Sequence, residues 1–203
     1  LSSSSAASDV YKRQDILYRI YKETEGKDGY VSIEVPPTYA YDIEETISEA
    51  QKLFERIGRE NIMIKVPATE EGAMAIECLI SRGININATL VFSLSHYENV
   101  GLAYIKGLEE FYREGGDLRR VASVASLFVS RIDTLVDSEI SSLIELQKDP
   151  EKKRNLEELK GKAAIANSKK VYQKFKEIFS HEKFKVLEKR GARVQRPLWA
   201  STS

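Results

Sequence analysis

The sequence lacks several of the residues on which common site chemistries depend. Cysteine occurs once, at Cys78, which excludes an internal disulfide and fits a reducing, cytoplasmic setting. Histidine occurs twice, at His96 and His181, far apart and without cysteine neighbours, which argues against a zinc cluster. Net charge is missing too, since 31 Lys and Arg balance 31 Asp and Glu. That balance gives no reason to expect nucleic acid or an anionic membrane as the main partner. No apolar run approaches the roughly 18 residues of a membrane span. Neither G-x-G-x-x-G nor G-x-x-x-x-G-K-[ST] occurs, so the glycine-rich turn of a doubly wound nucleotide binder is absent.

What is present suits one globular domain in 203 residues. Residues 1–8 are Ser- and Ala-rich, with no basic start and no apolar core, so they do not read as a signal peptide. Residues 1–14 are set aside as a disordered or foreign segment, and 15–203 as the domain. At the other end, the apolar run Pro197-Leu198-Trp199-Ala200 lies almost against Ser203. The expectation is a chain cut at both ends.

Between these ends, short β-like runs alternate with longer helical ones. Tyr30–Val35, Asn61–Val66, Ile84–Phe92, Val121–Val129 and Val194–Ala200 read as strands. Asp42–Ile57 has helical spacing through Ile43, Ile47, Ala50, Leu53 and Phe54. Thr69 is a good N-cap for a helix over Gly72–Arg82, with Gly83 as its C-cap, and Pro67 stops the preceding strand. Ser93 or Ser95 caps a helix to about Glu114. Arg131–Gln147, a stretch from Asp149-Pro150, 162–179 and 182–190 complete the helices. This alternation predicts an α/β fold with a parallel sheet. Without a glycine-rich turn the preferred form is a (β/α)8 TIM barrel, incomplete, with about five of its eight strands present.

Side chains alternate across a strand with a period of two. Val31, Ile33 and Val35 therefore oppose Ser32 and Glu34. Ile62, Ile64 and Val66 oppose Met63 and Lys65. Ile84, Ile86, Ala88 and Leu90 oppose Asn85, Asn87 and Thr89, while Ser126 shares a face with Ala122, Val124 and Phe128. Glu34, Lys65, Thr89 and Ser126 fall toward the C-terminal ends of their strands, where barrels of this kind build their sites.

Lys65 is the sharpest feature. A lysine enclosed in a β-branched strand is desolvated, which favours the neutral, nucleophilic amine that forms a Schiff base with a carbonyl. The competing reading is a strand-end lysine that snorkels to water. Glu34 suits proton transfer through a water, or a structural ion pair with Lys65. Asn87 and Thr89 suit substrate hydroxyls or a catalytic water, or simple interior packing, and Asn85 leans toward packing. Arg131, at the start of a helix, suits a phosphate, or a surface pair with Asp133. Cys78, on a helix face with Ala75 and Leu79, reads as core.

Four ordered motifs carry a family resemblance: Val31–Val35, Ile64–Thr69 followed by Glu71-Gly72, Gly83–Ser93, and Ser126–Asp133. Over roughly Asp15 to Ser203 they resemble the transaldolases. The resemblance implies a Schiff-base mechanism without metal or organic cofactor, acting on sugar phosphates in the pentose phosphate pathway. It implies that Lys65, Glu34 and Thr89 are catalytic, with Glu34 and Thr89 holding a water that moves protons. It further implies that Asn87, Ser126 and Arg131 bind substrate, Arg131 at its phosphate, with Ser201 near a second phosphate position. A homo-oligomer is left open.

Departures accompany the match. The family's first-strand aspartate, acid–base partner to the lysine, has no equivalent, and neither do its second and eighth strands. Leu127 and Ser130 replace a proline and a glycine of other branches. The Lys- and Glu-rich helical insert at 148–190 fits a bacterial-type branch. Low activity and aggregation are therefore expected of the chain as it stands, because open parallel edges invite pairing.

Overall fold

Runs of β-branched and other apolar residues at alternate positions form five strands: β1 (Val31–Glu34), β2 (Ile62–Pro67), β3 (Ile86–Val91), β4 (Ser123–Phe128) and β5 (Arg196–Ala200). The computed structural model describes residues 16–202, so the expectation for residues 1–14 lies outside the described range. Residues 16–23 are helical and are termed α1. Seven further helices follow: α2 (Ile43–Ile57), α3 (Glu70–Ser81), α4 (Leu94–Arg113), α5 (Ser130–Leu146), α6 (Pro150–Glu157), α7 (Ala163–Ser180) and α8 (Glu182–Glu188). Among the described residues, no helix is long and apolar enough to cross a membrane.

All strand pairs are parallel and the spatial order is β1-β2-β3-β4-β5. That order decides between the two architectures left by the alternation. A doubly wound sheet reverses its strand order at a switch point, whereas an arc of a (β/α) barrel adds each strand beside the last. The sheet is therefore an incomplete barrel of five strands. Pro197 lies in β5, an edge strand among the described residues, where a missing N–H is tolerated.

The main core lies between one face of the sheet and the helices. Ile62, Ile64 and Val66 of β2, Ile86 and Ala88 of β3, and Ala125 and Leu127 of β4 pack there with Ile76, Leu79 and Ile80 of α3 and Tyr97, Val100, Tyr104 and Leu108 of α4. Met63, Ala122 and Val124 form a separate small cluster with Tyr30, on the opposite face. The period-two reading of the faces holds except at the end of β3, where Val91 rather than Leu90 joins the core because the register shifts and Leu90 takes φ +56°.

Local chemistry sets the element ends. Asp42 caps α2 by accepting from Glu45 N, and Ser93, rather than Ser95, caps α4 by accepting from His96 N. Helix α3 begins at Glu70, two residues before the expected Gly72, because Thr69 caps it and two acidic residues suit its positive N-terminus. It ends in a Schellman motif: Gly83 N bonds Ile80 O, Ile84 N bonds Leu79 O, and Gly83 has φ +77°. The C-cap itself is Arg82, with Gly83 one position beyond. Pro67 is the last residue of β2 and pairs with Thr89 rather than lying outside the strand. Cys78 is half-buried, not core, since it sits at the flank of the stripe made by Ala75, Ile76, Leu79 and Ile80.

Thr69 does two jobs where β2 hands over to α3. Its hydroxyl oxygen accepts from Gly72 N at 2.9 Å and its hydroxyl donates to Ala40 O at 2.7 Å. Thr69→Ala removes the cap and leaves Ala40 O unpaired, so a loss of about 2 kcal/mol is expected. Urea denaturation checks this, with Thr69→Ser expected to recover most of the loss.

Candidate active site

The register of the sheet brings three predicted residues into one row. Glu34 pairs with Lys65 across β1 and β2, and Lys65 pairs with Asn87 across β2 and β3. All three project from the face opposite the main core. Lys65 Nζ lies 3.8 Å from Glu34 Oε2, with the side chains 28% and 49% exposed. The enclosed lysine expected from the sequence is therefore not formed. The helices of the main core pack on the other face, so this face is covered only in part by its own side chains. Nor does Lys65 run free to water, because the carboxylate holds its amine over the sheet.

Asn87 is 7% exposed. Its amide Nδ2 donates to Ser32 Oγ at 3.1 Å, and its Oδ1 accepts from Ser126 Oγ at 2.8 Å. Ser126 thus joins the cluster through Asn87. Thr89 stands one pleat further along β3, 1% exposed, and its hydroxyl has no hydrogen-bond partner in the protein. Just beyond it, the β3–β4 register shifts between Ala88 and Val91, and Leu90 adopts φ +56°. A positive φ is costly for leucine, and such bulges recur beside sites where a side chain must be re-aimed.

Arg131 and Ser201 form a second group at the rim. Arg131 lies in the first turn of α5, exposed, with its guanidinium carbon 4.9 Å from the centre of the Phe128 ring. Phe128 in turn contacts Phe92 at 5.4 Å. No Arg131–Asp133 pair forms among the described residues, since Asp133 Oδ1 accepts from Ala164 N. Ser201 has φ +52°, its Oγ lies 2.8 Å from Ser130 Oγ, and its carbonyl accepts from Ser130 N at 2.6 Å. Strand β4 links the two groups, since Ser126 and Phe128 share a face one pleat apart.

Sequence reasoning missed Ser32 and Ser130 as partners. Ser32 was legible only as a member of Glu34's face. Ser130 meets Ser201 across 71 positions, which no local pattern reveals. Asn85 is structural, as its amide donates to Glu60 O and Ile62 O and its Oδ1 accepts from Ala122 N. Burial raises the hydroxyl pKa of Tyr97 and Tyr104, but these hydroxyls donate to Gln195 O and Arg193 O and belong to the core. A cleft of about 390 Å³ at the other end of the sheet contains Arg59, Arg82 and Arg120. Helices α2 and α3 end there, at Gly58 and Arg82, while Arg120 pairs with Glu60 at 3.2 Å and Arg59 lies over the Tyr18 ring.

The family model for transaldolase/fructose-6-phosphate aldolase matches residues 4–198. A transaldolase of Trichodesmium erythraeum is 50% identical over 195 residues, covering 96% of this chain and 51% of the relative. Transaldolase 2 of a Nostoc species is 48% identical, covering 97% of this chain and 52% of the relative. A transaldolase of Saccharopolyspora erythraea is 44% identical, covering 96% and 50%. The chain spans about half the length of these curated relatives. With a family match over most of its length, the chain belongs to the transaldolase/fructose-6-phosphate aldolase family.

Proposed function

We propose that the chain carries the Schiff-base chemistry of a transaldolase, with Lys65 as nucleophile. The observation that supports this most is the row Glu34, Lys65, Asn87, which sets an amine beside an acid and an amide on one face of a parallel sheet. An ion pair this exposed contributes under about 1 kcal/mol, so stability gives little reason to place a lysine there.

In the proposed reaction, Lys65 Nζ attacks the ketone carbon of sedoheptulose 7-phosphate or fructose 6-phosphate. Water leaves, and the C2=N bond of an iminium forms. The C3–C4 bond then breaks as the C4 hydroxyl loses its proton, and the aldose phosphate departs. The electron pair stays on the three-carbon dihydroxyacetone unit as an enamine on Lys65. The enamine attacks the aldehyde carbon of glyceraldehyde 3-phosphate or erythrose 4-phosphate, and water releases the new ketose. Glu34 and Thr89 hold the water that moves protons, which suits an exposed carboxylate and a buried hydroxyl without a protein partner. Asn87 and Ser126 bind substrate hydroxyls. Arg131 and Ser201, at the start of α5, bind phosphate. The single cysteine fits a cytoplasmic setting.

Product analysis tests the reading. With fructose 6-phosphate alone, little turnover is expected. Adding erythrose 4-phosphate is expected to yield sedoheptulose 7-phosphate. Free dihydroxyacetone without an acceptor would instead favour simple cleavage, an activity also named in the family's description. The rate is expected to be low, because the Lys65 side chain is 28% exposed rather than enclosed, so desolvation does little to favour the neutral amine. A monomeric sample with full activity would contradict that expectation.

A further inference from the structure

We infer that Ser32 is a positioning residue that fixes the orientation of the Asn87 amide beside Lys65. The inference rests on the proposed role of Asn87 and adds a residue to it. Asn87 stands on β3 and Ser32 on β1, yet Nδ2 reaches Ser32 Oγ at 3.1 Å across the intervening strand. In the register Ser32 lies opposite Met63 and Asn87 opposite Lys65. The amide plane therefore crosses β2 between those two side chains, next to the lysine. Ser126 holds the other end through Oδ1 at 2.8 Å. Two serines on strands either side thus anchor one nearly buried amide, with the donor end toward β1 and the acceptor end toward β4.

The backbone ladder already joins β1, β2 and β3, so the sheet does not need this bond to define its register. What the bond removes is rotation of the amide about its last side-chain torsion, which is broad and roughly two-fold when unconstrained. One Nδ2 hydrogen is taken by Ser32, and the second remains available to a ligand oxygen in a fixed direction. Losing Ser32 leaves Asn87 in place but held at one end. Productive geometry then becomes a fraction of the population, which lowers the rate more than the affinity.

The test uses the 203-residue chain, its Ser32→Ala variant and its Ser32→Thr variant, with two readouts. The first is hydrogen exchange of the Asn87 side-chain amide, assigned by NMR. The second is the rate of borohydride trapping on Lys65 over a range of fructose 6-phosphate concentrations. Ser32→Ala is expected to speed amide exchange about tenfold and lower the maximal trapping rate about tenfold. The half-saturating concentration is expected to change less than twofold, and Ser32→Thr to restore both readouts. Unchanged exchange in Ser32→Ala overturns the inference. So does faster exchange with an unchanged trapping rate, or a threonine variant as impaired as the alanine one. If the parent chain forms no adduct at all, the proposed function fails. Exchange then shows separately whether Ser32 anchors Asn87.

Discussion

Lys65→Met is expected to abolish covalent capture of a ketose phosphate while leaving the melting temperature unchanged or slightly raised. The two halves of this result follow from different magnitudes. Capture needs a primary amine at one place, and no other group in the row can form an imine, so the loss is complete. Stability depends on what the lysine contributes to folding. Its partner Glu34 lies 3.8 Å away and is 49% exposed, a regime in which ion pairs give about 0–1 kcal/mol. Methionine keeps most of the apolar stem, packs beside Met63 and removes the cost of holding a charge over the sheet. A melting temperature lowered by many degrees would mean that Lys65 is there for structure. Trapping with sodium borohydride and differential scanning calorimetry read the two halves independently.

The largest loss of stability is expected from Gly72→Ala, a change that helix propensity alone would favour by about 1 kcal/mol. Gly72 lies in the first turn of α3, and a Cβ there would fall 1.9 Å from Pro67 O and 2.9 Å from Thr69 Oγ1. The nearest obstacle is backbone, which cannot swing aside as a long side chain can. Either α3 moves off the end of β2 or the Pro67 peptide tilts, and both disturb the Thr69 cap. Overpacking of this kind outweighs the propensity gain, for a net loss of about 3 kcal/mol. Because Pro67 lies two residues beyond Lys65, trapping is also expected to slow. Denaturant midpoints for Gly72→Ala and Gly72→Ser settle the first point, since serine should fare no better. An alanine variant as stable as the parent would refute the close approach.

These two sites mark what was legible in the sequence. Thr69, and one of Ser93 and Ser95, read as caps because the chemistry of a cap is local. The alternation that puts Lys65 and Asn87 on one face and Ile64, Val66 and Ile86 on the other is local as well, and each of these residues lies where the period of two puts it. The row itself needed register, which alternation does not supply: Lys65 can share a face with Asn87 without standing beside it. Contacts made after folding were out of reach for the same reason. Arg131 stacks on Phe128 instead of pairing with Asp133, because Asp133 is taken by the N-terminus of α7. Ser201 meets Ser130 only because β4 and β5 are neighbours. The enclosure expected around Lys65 failed for a tertiary reason. Enclosure is a property of a closed barrel, and five strands in sequential order form an arc.

The central claim is that Lys65, and no other lysine, forms the covalent link to substrate. The direct measurement is to incubate the chain with fructose 6-phosphate, reduce with borohydride, digest, and locate the added mass by tandem mass spectrometry. The account predicts a reduced three- or six-carbon adduct confined to the peptide bearing Lys65. Adducts spread over exposed lysines such as Lys106 and Lys183, with Lys65 unmodified, would contradict it.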